Sequence, residues 1–120
     1  MSPEDVVYAC TCDLAGRVRG KGFPASDFDK RLMRGIGWAP TNSQITCFDA
    51  IAPSPFGALG DRVLIPDPAT RVQLRAPDLG LDEDFVLGDL HTTDGATWAL
   101  CPRGILKDAL ARLQACSGLT

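Results

Sequence analysis

Five cysteines and a single histidine are the side chains with the widest chemical range in this sequence. Cys10 and Cys12 form a C-x-C pair, and on a strand residues two apart point the same way. A metal site would need two further ligands. His91 is the only histidine, and there is no C-x-x-C or H-x-x-x-H pairing to supply them. The bland reading, cysteine as a small buried hydrophobe, stands beside a redox reading of the same pair. His91 sits where a strand is expected to end beside a turn, a common place for a histidine with no chemical role. The acids are scattered, and the one run, Asp82-Glu83-Asp84, is expected in a loop. Divalent cations need clustered carboxylates. No phosphate-cradling G-x-x-x-x-G-K stretch and no nucleophile–base order is present. The sequence therefore predicts no catalytic centre and no metal site of its own.

Composition narrows the classes further. Twelve Lys and Arg stand against fifteen Asp and Glu, a net charge of −3, which gives no footprint for nucleic acid. No apolar run approaches a membrane span. An odd cysteine count argues against a disulfide framework. The start, "MSPEDVVYAC", lacks the basic region of a secretion signal. The cytoplasm is the expected compartment, and 120 residues suit one domain, 1–120.

The elements that must position any site come next. "VVYACTCDLAGRVRGKGF" reads as a hairpin with Val6, Tyr8, Cys10 and Cys12 on one face and Val7, Ala9 and Thr11 on the other. In the return strand Arg17, Arg19 and Lys21 form a basic stripe. It is either a solvated, edge-protecting face or an anion or subunit contact. "PASDFDKRLMRG" predicts a short helix with Ser26 as N-cap, Phe28 and Leu32 facing inward, and Gly35 ending it. The segment from Gly35 to Gly60 is too rich in Pro and Gly for a helix; apart from a strand over Ser43 to Phe48 it reads as loop. "RVLIP" and "TRVQLRAP" predict two strands whose prolines, Pro66 and Pro68, lie at their ends. A polar connection follows to Asp84, then a hairpin of "FVLGDL" and "TWALC" turning at Asp94-Gly95. "CPRGILKDALARLQACSG" predicts a helix with Pro102 first and Gly118 as C-cap. Its stripe of Ile105, Leu106, Ala109, Leu110 and Leu113 is expected to close over the sheet. The architecture is α+β: a β-grasp-like mixed sheet with one long C-terminal helix and one short helix packed on it.

Three stretches resemble the glutamine synthetase family in order along the chain. They are "CDLAGRVRGKGFPASDF", "LGDRVLIPDPATRV" and "CPRGILKDALARL". With "GIGWAPTN" and "FVLGDL", the sequence is most similar to the branch of ligases that join glutamate to organic amines. The resemblance covers only that family's amino-terminal β-grasp domain. It implies that ATP, Mg²⁺ or Mn²⁺ and glutamate are bound by a separate catalytic domain, whose motifs are absent here. It also implies a homo-oligomer in which the small domain's loop, ahead of the "DRVLIPD" strand, helps close a neighbouring subunit's active site.

By the same resemblance Trp38, Thr41, Asn42 and Ser43 are candidate substrate-loop residues. Ammonia-using members carry an Asp-Gly-Ser-Ser stretch there, whereas "GIGWAPTNS" has no acid. Trp38 then offers either a ring face to an amine cation or simply a core or interface side chain, and a preference for a larger amine over ammonia is the expectation. Arg17, Arg19, Phe56 and Arg103 are candidate subunit contacts. The alternative reading is a free-standing, ubiquitin-like β-grasp module that binds or regulates another protein.

Overall fold

The computed structural model describes residues 5–56 and 61–118. Residues 57–60 of the expected long loop lie outside them. The strands are β1 (Val6–Cys12), β2 (Val18–Pro24), β3 (Ile36–Trp38), β4 (Arg62–Pro66), β5 (Val72–Ala76) and β6 (Leu81–His91). The helices are α1 (Phe28–Arg34) and α2 (Pro102–Ser117). The sheet runs β2-β1-β6-β4-β3, with β5 also on β6. β1 and β6 are parallel and the other pairs antiparallel, so the sheet is mixed and β-grasp-like, as expected.

β6 is the axis of the sheet. Its Phe85–Leu87 stretch pairs with β1 on one edge. On the other edge β5 takes Leu81 to Phe85 and β4 takes Gly88 to His91. The chain thus follows one edge of β6 twice, broken at Pro66-Asp67-Pro68. Residues 67–71 bulge out opposite only Val86 and Leu87. A bulge leaves backbone groups of the partner strand without ladder bonds, and buried ones must be satisfied another way. The Asp67 N–H donates to the Leu87 carbonyl at 2.8 Å. The Leu87 N–H donates to Thr70 Oγ1 at 2.9 Å, and that hydroxyl donates to the Asp67 carbonyl at 2.7 Å. The prolines end one strand and start a 3₁₀ turn, Pro68–Thr70, while Asp67 caps the turn by accepting from the Ala69 N–H.

The core lies on one face of this sheet. Val7, Ala9, Phe23, Trp38, Leu64, Val86, Leu90, Trp98 and Cys101 are buried together there. Asp27, not Ser26, stands at the N-cap of α1, without a side-chain capping bond, and a 3₁₀ turn, Ala25–Asp27, precedes it. Its Phe28 stacks on Phe23 and carries the Arg71 guanidinium 4.2 Å above its ring. Arg71 in turn grips the buried Asp84 with two hydrogen bonds of 3.0 and 2.8 Å. Gly35 ends α1 at a φ of 71°, and a Cβ there would lie 2.4 Å from Val63 Cγ1. Only glycine serves both needs.

Four further expectations are corrected. The Asp82-Glu83-Asp84 run is in β6, not a loop, because a tight turn at Pro77–Gly80 lets the strand begin at Leu81. Ser43–Phe48 forms no strand; the third strand is Ile36–Trp38, paired to β4. "TWALC" contributes one bridge, His91 to Thr97, and then turns, because Trp98 drops into the core and its carbonyl accepts from the Cys101 N–H. The apolar stripe of α2 does not close over the sheet: Ile105, Leu106, Leu110 and Leu113 are each more than half exposed. α2 is held at its start instead. Cys101 Sγ accepts from the Gly104 and Leu90 N–H groups. Arg103 pairs with Asp67 at 3.0 Å and Asp89 at 3.1 Å, and Lys107 pairs with Asp89.

Two outcomes follow. Thr70→Val strips the Leu87 N–H of its acceptor and should cost about 1–3 kcal/mol in urea unfolding, while Thr70→Ser should recover most of it. The Arg71 hydrogen bonds, against an opposing desolvation, hold the Asp84 carboxyl below its ordinary value. The folded-state value lies below the unfolded one. The pair's contribution is therefore complete above about pH 4 and is lost as pH falls through the folded-state value. Asp84→Asn should flatten that acid limb in a series of unfolding curves.

Candidate functional site

The long segment after β3 is not slack. Pro40–Ser43 forms a 3₁₀ turn that carries the chain back under Trp38. The Trp38 indole N–H donates to Ser43 Oγ at 3.1 Å, within the core. Gln44 then clasps the far side of the loop: its carbonyl accepts from the Ala52 N–H and its side-chain Oε1 accepts from Ser54 Oγ. An isolated bridge, Ile45 to Ile51, closes a small turn between them. The Thr46 N–H donates to the Ala50 carbonyl and the Asp49 N–H to the Thr46 carbonyl. Asp49 lies at a φ of 57°, the one non-glycine residue at positive φ among the described residues. Phe48 is 86% exposed and the Asp49 side chain 81%. A buried root thus carries a displayed tip that bears an aromatic ring and a carboxylate.

The basic stripe at β2 has partners within the chain, although Arg17 and Lys21 stay exposed. Register pairs Arg19 with Thr11, Lys21 with Ala9 and Phe23 with Val7, the core-facing residues of β1. Arg19 Nε donates to Asp13 at 2.7 Å. Lys21 Nζ donates to the Gly37 carbonyl at 2.6 Å and lies 5.7 Å from the centre of the Trp38 ring. Arg17 lies 4.0 Å from Asp49, at the loop tip. Asp13 is buried within the β1–β2 turn. Burial pushes its carboxyl up, but the Arg19 hydrogen bond and the Arg17 and Ala15 N–H groups outweigh that and hold it below its ordinary value.

The substrate-loop candidates therefore separate. Trp38, 2% exposed, belongs to the core, and the cation near its ring is the chain's own Lys21. Ser43 is buried as its partner. Thr41 and Asn42 are half-buried in the turn between them. The tip residues Phe48 and Asp49 escaped the sequence reading because the stretch that resembles the family's loop, Gly35 to Ser43, ends short of the turn. An apolar-acidic pair, Phe48-Asp49, between two bridge-forming isoleucines was the available signal.

The contact candidates are also engaged within the chain. Arg19 holds Asp13 and Arg103 holds Asp67 and Asp89. Phe56 meets Trp98 edge-on at 5.4 Å, with Arg62 over both rings. Arg17 alone of the four remains well exposed. Cys10 is buried against Gly20, and burial with the neighbouring Cys12 pushes its thiol up, which makes it a poorer nucleophile. His91 is half-buried with Nδ1 3.3 Å from the Gly95 carbonyl. Among the described residues no three His, Cys, Asp or Glu side chains come together as a metal site. They do not supply the carboxylate set that Mg²⁺ or Mn²⁺ requires.

The model of the glutamine synthetase N-terminal domain matches residues 1–98. The chain belongs to that family. The match spans β1 to β6, including the rooted loop. A crystal structure of a glutamine synthase homologue is 38% identical with a TM-score of 0.86, over 97% of this chain and 28% of that one. GmaS, solved without ligand and with ADP, is 28% identical over 92% of this chain and 23% of its own, with TM-scores of 0.69 and 0.68. Glutamine synthetase from Plasmodium falciparum, at 17% identity, 93% and 20% coverage and a TM-score of 0.67, shares the fold. The chain thus spans about a quarter of the length of these family structures. No curated protein sequence matches it. No helix among the described residues is long and apolar enough to cross a membrane.

The loop should be only as rigid as its root. Ser43→Ala leaves the Trp38 indole N–H buried without an acceptor and should destabilise the domain by about 1–3 kcal/mol. Faster hydrogen exchange at the Gln44 and Ala52 amides should accompany it.

Proposed function

We propose that this domain is the accessory part of an ATP-dependent glutamate–ammonia or glutamate–amine ligase, and that its loop tip reads the amine in a neighbouring subunit's active site. One observation carries the reading: a loop tied down at four places, one of them a buried bond, ends in an exposed Phe48-Asp49 tip. A carboxylate near the amine favours the cationic form and can accept its proton. The adjacent ring favours an amine that carries an apolar substituent over ammonia. Arg17 holds Asp49 loosely at 4.0 Å until a substrate cation replaces it. ATP, the divalent metal and glutamate belong to the catalytic domain in this reading, in a cytoplasmic homo-oligomer. The chain alone should hydrolyse no ATP.

A second reading, a free-standing protein-binding module, draws support from the exposed stripe of α2. Activity separates the two. Combined with the family's catalytic domain, the chain should support ATP-dependent γ-glutamyl amide formation, with alkylamines preferred to ammonia. Asp49→Asn should then raise the KM for the amine about tenfold, with the KM for glutamate unchanged. No ligation from the combined domains, or full activity without this one, would remove the first reading.

A further inference from the structure

α2 stands clear of the body it grows from. Cys101, Arg103 and Lys107 anchor its start, yet every residue from Ile105 to Ser117 is exposed. The radius of gyration is 16.1 Å, against about 14 Å for a compact chain of this length, which fits a projecting arm. A lone helix of this size is marginal in water and takes its stability from packing. One side of the arm carries Ile105, Leu106, Leu110 and Leu113, each more than half exposed. Arg112 borders that stripe and has no partner among the described residues, while Asp108 lies further round, away from it.

A second bare apolar surface lies on the face of the sheet opposite the core. Register places Gly22, Tyr8, Phe85 and Val72 in one row across it, with Leu74 beside Glu83 in the next. Val6, Tyr8, Val18, Val72 and Leu74 are between 43% and 65% exposed there. A trough of about 480 Å³ is lined by Tyr8, Cys10, Val18, Phe85, Leu87 and the exposed Glu83. Gly20 and Gly22 keep its β2 side low, because Cys10 and Val6 fill the space where their Cβ atoms would stand. Glu83 also has no partner among the described residues. Contiguous exposed apolar patches of this kind mark interaction surfaces.

We propose that α2 of one copy of this chain lies in the outer trough of a second copy, and the reverse, in a two-fold dimer. One kind of contact then covers both bare surfaces. The arm leaves its own trough uncovered, so the contact is between copies. The lengths match: the 16-residue helix is about 24 Å long and the seven-residue β1 about 23 Å. The charges match as well, with the unpaired Arg112 beside the stripe and the unpaired Glu83 at the trough. Exchange by both copies doubles the area covered, toward the roughly 1,600 Å² of a stable interface. The inference stands apart from the ligase reading: association is read on the chain alone, ligation on the combined domains.

The test is sedimentation velocity on the chain alone, which should pass from monomer to dimer as its concentration rises through about 1–100 μM. Leu110→Glu on the arm and Tyr8→Glu in the trough should each hold it monomeric, with circular dichroism showing that the fold is kept. Arg112→Glu and Glu83→Arg should each weaken the dimer about threefold, and an equal mixture of those two variants should restore it. A monomer at every concentration, or a dimer indifferent to Leu110→Glu, would overturn the proposal. So would α2 amides that gain protection from hydrogen exchange only when the family's catalytic domain is added.

Discussion

The backbone of Leu87 is the point on which this domain turns. β6 has two edges and three partners, so one edge must be shared between β4 and β5. The chain can switch from one to the other only by leaving the ladder, and Leu87 would then face a gap with both polar groups unpaired. Asp67 and Thr70 fill that gap with a backbone donor and a side-chain hydroxyl. The prolines make the departure sharp. Everything beyond depends on it: the register of β4 sets β3, β3 places Trp38, and Trp38 roots the loop.

The same corner also aims the far end of the molecule. The Asp67 side chain caps the 3₁₀ turn with one oxygen and receives Arg103 with the other. Asp89, on the neighbouring β6, receives Arg103 and Lys107. A motif that reads as punctuation between strands therefore fixes the exit angle of a helix more than thirty residues later in sequence. The charges involved are partly buried, so screening by salt weakens them less than it would a surface pair.

Much of this was legible in the sequence, and the failures have physical reasons. The β1–β2 hairpin, the proline corner, and Pro102 and Gly118 as helix ends follow from local chemistry and appear where expected. Asp82-Glu83-Asp84 misled because acids usually mark loops, yet Asp84 is inward-facing and neutralised by Arg71, a partner that only the sheet register brings near. The basic stripe at β2 is largely solvated, as one of its two readings had it, but its partners Asp13, Asp49 and the Gly37 carbonyl were not legible because turns separate them from it. The amphipathic pattern of α2 is real, but amphipathicity says that a face wants cover, not which surface provides it. At the candidate site, Trp38 was conspicuous by type and lies buried in the core, while the displayed Phe48 and Asp49 depended on a turn with no strong sequence signature.

Asp49 places the loop's one left-handed turn at its summit. Aspartate enters that region more readily than most residues with a side chain, and the bonds of the short turn around it define the geometry. With its base held by Trp38, Ser43, Gln44 and Ser54, the segment has few ways to move except about this one turn, so any adjustment of the summit leaves the sheet beneath it in place.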